Sequence, residues 1–66
     1  MQTVGYKGFL LYGHSIEQQD GFAASGTVVQ DGKLVQSSGV LAVYQSDEDA
    51  MDAGVRWAQE WIDFHA

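Results

Sequence analysis

Cysteine is absent from these 66 residues, which removes both the disulfide framework that staples small secreted domains and any thiolate chemistry. Basic residues are scarce: Lys7, Lys33 and Arg56 stand against nine acids, for a formal net charge of −6. A balance this acidic repels phosphate and cannot release many counterions from a nucleic acid, so direct nucleic-acid binding is not expected. No run approaches the ~18 apolar residues of a membrane span, and Met1 to Tyr6 shows no basic segment leading into an apolar one. The chain therefore reads as soluble and cytoplasmic, with no membrane partner.

What is present fits one domain, residues 1–66. A chain of this length buries only about 60% of the surface its unfolded form exposes, so the expected stability is modest, roughly 3–10 kcal/mol. Without staples it must hold itself by packing, or by pairing with a second copy.

Two Asp-Gly pairs, Asp20-Gly21 and Asp31-Gly32, are flanked by β-prone runs, the strongest short-range signal for a hairpin. They predict three strands, over residues 6–16, 22–30 and 34–44, the third broken by a bulge at Ser38-Gly39. Ser46 then stands before Asp47, Glu48 and Asp49. Its hydroxyl suits a helix N-cap, and the carboxylates suit the positive end of the helix dipole. The helix is expected over residues 47–64, a stretch with no proline and one glycine. The expected fold is α+β: a three-stranded antiparallel meander packed on one C-terminal helix.

Two apolar stripes run along that helix, Ala50, Gly54, Trp57, Trp61 and Phe64 beside Met51, Val55, Ala58 and Ile62, together one wide face. Ala50 and Gly54 are small enough to bring the start of the helix close to the sheet; Trp57, Trp61 and Phe64 are expected to fill a wider gap at its end. The strands hold more apolar surface than one helix can cover. Phe9 and Leu11 alternate with Leu10, Tyr12 and Ile16, and Leu41 and Val43 with Val40, Ala42 and Tyr44. An uncovered apolar sheet face usually marks an interaction site.

Signals for chemistry are weak by comparison. His14 and Ser15 are adjacent in a strand, where neighbours point to opposite faces, so they are not paired as base and nucleophile. His65 suits the negative end of the helix dipole. The acids Asp47, Glu48, Asp49 and Asp52 lack the spacing of a calcium loop, and the glycines form no phosphate-binding fingerprint. No catalytic residue, metal ligand or cofactor is expected, and Trp57 and Trp61 read as core anchors rather than a stacking platform. The acidic helix start, with Tyr12 and Tyr44, is the candidate partner surface.

Tyr6-Lys7-Gly8-Phe9, Asp20-Gly21-Phe22-Ala23-Ala24-Ser25-Gly26 and Ser46-Asp47-Glu48-Asp49-Ala50 together resemble small bacterial proteins that include HlyU-like transcriptional activators. That resemblance implies a β-β-β-α domain with a regulatory role. In outline the chain is also similar to the N-terminal domain of HicB-type antitoxins, which bind small basic RNA-cleaving toxins and oligomerise. Its third strand lacks the proline- and cysteine-containing segment of that group, so the second likeness is one of fold. The expected function is a non-enzymatic protein-interaction or regulatory module, homodimeric or bound to a protein partner. The alternative is a small-ligand or enzymatic pocket between sheet and helix, near Tyr12, His14 and Trp61.

Overall fold

A computed structural model describes residues 1–65. Its elements in chain order are β1 (Gln2–Tyr6), β2 (Phe9–Gln18), β3 (Gly21–Gln30), β4 (Lys33–Ser37), β5 (Val43–Tyr44) and α1 (Asp47–His65). The strands form one antiparallel sheet in the order β1-β2-β3-β4, with β5 also paired to β3. The fold is α+β as expected. The meander, however, has four strands where three were expected.

The extra strand arises at Lys7-Gly8. Both residues take positive φ, 51° and 85°, the conformation a two-residue type I′ hairpin requires at its two central positions. Residues 6–16 are therefore not one strand: they hold the end of β1, the corner at Lys7-Gly8 and most of β2, with Tyr6 opposite Phe9. Asp31-Gly32 makes the second such turn, with φ of 53° and 75°. At Asp20-Gly21 the turn sits one residue earlier than the dipeptide suggests: Gly21 already pairs with Gln18.

The expected run over residues 34–44 is interrupted where Ser38-Gly39 stands, Gly39 taking a φ of 71°. β4 ends at Ser37 and β5 begins at Val43. The intervening chain stays tied to β3: Ser38 N donates to Gly26 O, Leu41 N to Ala24 O, and Ala24 N to Ala42 O. A second irregularity shifts the β3–β4 register between Val28 and Val29.

α1 starts as its acids and cap suggest. Ser46 Oγ accepts from Asp49 N at 3.1 Å, satisfying one of the amides that have no partner within the helix. The helix lies across β2 and β3. Its buried residues are Ala50, Gly54, Val55, Ala58 and Ile62, and with Leu11 and Val28 three of these (Val55, Ala58 and Ile62) form the core, flanked by Val4, Tyr6, Phe9, Trp57 and Trp61. Phe64 does not fill a gap as its spacing suggests; it is 86% exposed.

The helix can sit this close because its own Gly54 meets two glycines of the sheet. Gly13 and Gly26 are register partners on β2 and β3. A Cβ on Gly26 would meet the Gly54 carbonyl and lie 2.8 Å from Trp57 Cε3; one on Gly13 would meet the Met51 carbonyl and lie 2.9 Å from Val55 Cγ2. One on Gly54 would meet the Ser25 carbonyl and the Gly13 Cα. Backbone thus packs on backbone along one line from sheet to helix.

Candidate functional site

Strand alternation sorts the sheet into two faces. Val4, Leu11 and Val28 share the helix-covered face, in register with one another. The opposite face has no element packed on it, and its side chains fall into rows across the strands. Leu10, Val29 and Leu34 form one row; Ile16, Ala23 and Val43 form another. Between them run Thr3, Tyr12, Thr27 and Ser37, then His14 and Ser25. The open face is thus apolar at both ends and polar with an aromatic pair at its centre.

Leu10, Ile16, Leu34 and Val43 are exposed, at 38%, 49%, 66% and 41%. At the centre, His14 Nε2 lies 3.0 Å from Thr27 Oγ1, and the His14 ring stacks on that of Tyr12 with centroids 6.3 Å apart. Ser15 points to the other side of β2, as the alternation requires.

Among the described residues no Asp, Glu, Lys or Arg lies on this face. Lys7, Asp20 and Asp31 are in the connections at the ends of strands, and Lys33 and Glu17 register with Gln30 and Phe22 on the helix side. The helix carries the charge instead: Asp47, Glu48, Asp49, Asp52, Glu60 and Asp63 against Arg56 alone, which is five of the six net negative charges. Among the described residues, one side of the molecule carries no Asp, Glu, Lys or Arg and the other is strongly acidic.

The six residues expected to form a partner surface do not lie together. Asp47, Glu48, Asp49 and Asp52 are exposed on the first two turns of α1, and Tyr44 joins Asp49, Asp52, Ala53 and Arg56 around an open groove of about 270 Å³. Tyr12 is on the opposite side of the sheet. That same division separates the residues of the alternative pocket: Tyr12 and His14 are on the open face, while Trp61 packs against the core beneath the helix. The sheet stands between them. Among the described residues no group of three His, Cys, Asp or Glu side chains is arranged to hold a metal ion, and no helix is long and apolar enough to cross a membrane.

A polar cluster that residue spacing did not reveal closes the far end of the helix. The Tyr6 hydroxyl lies 2.8 and 2.9 Å from the two oxygens of Asp63, and Lys7 Nζ donates to Oδ1 at 2.8 Å. Hydrogen bonds from Lys7 and Tyr6 hold the Asp63 carboxyl below its ordinary range, and the bond to Asp63 raises both Tyr6 and Lys7. The signal for it was Tyr6-Lys7 at a hairpin corner, legible only once Lys7-Gly8 is read as a turn. His65 caps the last turn: its Nδ1 donates to the Trp61 carbonyl at 3.0 Å, and its ring stacks on Trp61 at 4.4 Å. The first cluster joins residues far apart in the chain, the second residues of the last helical turn.

Comparison with protein-family models, with curated proteins and with solved structures gave no match.

Proposed function

We propose that this protein is a non-enzymatic interaction module that acts as a homodimer and offers its acidic helix side to a protein partner. The observation that carries this reading is the open sheet face: exposed apolar side chains at Leu10, Ile16, Leu34 and Val43 on a surface where no Asp, Glu, Lys or Arg lies among the described residues. Exposed apolar area of this kind marks interaction sites. Of the ionisable side chains, Tyr6, Lys7 and Asp63 tie β1 to α1, and the groove lined by Tyr44, Asp49, Asp52 and Arg56 lies on the acidic helix side offered to the partner. The regulatory role implied by the resemblance to HlyU-like proteins fits a module of this type, working through protein contacts rather than through nucleic acid.

Sedimentation equilibrium over a wide concentration range tests the reading. A mass of two chains at micromolar concentration is the expected result. A mass of one chain throughout the range would contradict it.

A further inference from the structure

We infer that the open sheet face is the surface through which two copies of this chain associate, sheet against sheet, with the two helices outermost. This rests on the homodimer reading above and specifies where the dimer forms and what it excludes.

Electrostatics select the partner. A protein with a net charge of −6 that meets its own copy must keep its acids apart. Apposing two helix sides would bring six acids of one copy against six of the other, with only Arg56 from each to offset them. Face-to-face sheet packing places both sheets and the ~10 Å gap typical of stacked sheets between the two helices. The acidic surfaces then stand well beyond the ~8 Å Debye length at physiological ionic strength. A basic partner gains nothing from a face with no carboxylate on it, and an acidic one finds no cation. An uncharged face on a highly charged chain suits a second copy.

The pattern on the face is also self-complementary. Its two apolar rows, Leu10-Val29-Leu34 and Ile16-Val43 with the fully buried Ala23 between them, flank the central polar rows. An in-plane two-fold axis through the centre sets an apolar row of one copy against an apolar row of the other in either of its two orientations, as an isologous contact requires. His14 and Tyr12 would then lie near the axis, where the Thr27 contact already gives His14 a partner within its own chain.

Area agrees. Two ten-residue and two five-residue strands, at ~3.3 Å per residue and ~4.8 Å between strands, present about 500 Å² per copy. The two copies together bury about 1,000 Å², the lower limit for a specific interface. Edge-to-edge pairing through β4 is a weaker route. On the β4 side the ladder is broken at Ser38-Gly39 and irregular at Val28/Val29, features that blunt an edge against a second strand.

The test compares the solution mass of wild type with Ile16→Glu and Leu34→Glu on the open face, and with Phe64→Glu on the helix as the control. By two-fold symmetry each open-face variant introduces two carboxylates into one interface, so the dimer should weaken at least 100-fold while far-ultraviolet circular dichroism stays unchanged. Phe64→Glu should leave the dimer intact. Leu34 is the more exposed site, so it carries the test if Ile16→Glu unfolds. A dimeric wild type whose Leu34→Glu variant remains equally dimeric would overturn the inference and leave the homodimer reading standing. Loss of the dimer in Phe64→Glu alone would move the interface to the helix. A monomeric wild type would overturn both.

Discussion

The carbonyl of Gly54 occupies the space in which a side chain on Gly26 would begin. These two residues, one mid-helix and one mid-strand, set the distance between the layers. A glycine inside a helix ordinarily costs roughly 1 kcal/mol relative to alanine; here its lack of a Cβ lets the helix backbone rest on the sheet. Gly26→Ala and Gly54→Leu should each destabilise by about 1–3 kcal/mol, the usual cost of overpacking, because the atoms in the way belong to backbone. Urea unfolding measures this directly. Wild-type stability in Gly54→Leu would show that the layers can separate freely.

Ser46 offers a second, independent perturbation. Its Oγ caps the Asp49 amide, and Ser46→Ala should cost about 0.5–2 kcal/mol with no change in oligomeric mass. The same unfolding experiment reads it, and an unchanged midpoint would mean that the acids of the first turn suffice.

The Tyr6–Lys7–Asp63 cluster predicts a pH dependence with a definite sign. The Asp63 pKa is lowered in the folded state from an ordinary 3.8, so its contribution is complete above that value and is lost as pH falls through the lower, folded one. Tyr6 and Lys7 are raised from 10.0 and 10.5, so theirs is complete below those values and is lost as pH rises through the folded ones. All three side chains meet solvent, so the effect is small. Asp63→Asn should flatten the acid limb of the stability profile below about pH 4 and remove the alkaline shift of Tyr6, followed by its ultraviolet titration. An unshifted Tyr6 in wild type would contradict the cluster.

Much of this architecture was legible in the residues. The Asp31-Gly32 turn, the Ser46 cap with its acids, the small-residue approach at Gly54 and the apolar surplus on β2 each have a local physical cause, and local causes leave a signature in sequence. The turn at Lys7-Gly8 was missed because lysine has no particular preference for positive φ; only the glycine after it hints at a hairpin, and the apolar residues on both sides look like one continuous strand. Gly13 reads in sequence only as one of several glycines at turns, bulges or close-packing points: its role depends on Gly26 across the sheet and on Met51 above it, a meeting fixed by strand register. Register also decided the candidate surface. Tyr12 and Tyr44 carry similar side chains, yet an even position on β2 faces away from the helix while Tyr44, opposite Phe22, faces towards it.

The central claim is that the open sheet face is where two copies meet, and isotope-filtered nuclear Overhauser spectroscopy on a mixture of labelled and unlabelled chains tests it most directly. The account predicts intermolecular contacts among the methyl groups of Leu10, Ile16, Leu34 and Val43 and the Tyr12 ring, with none from Asp49, Asp52 or Arg56. A sample with the mass of a dimer whose intermolecular contacts come from the helix, and not from those methyl groups, would contradict it.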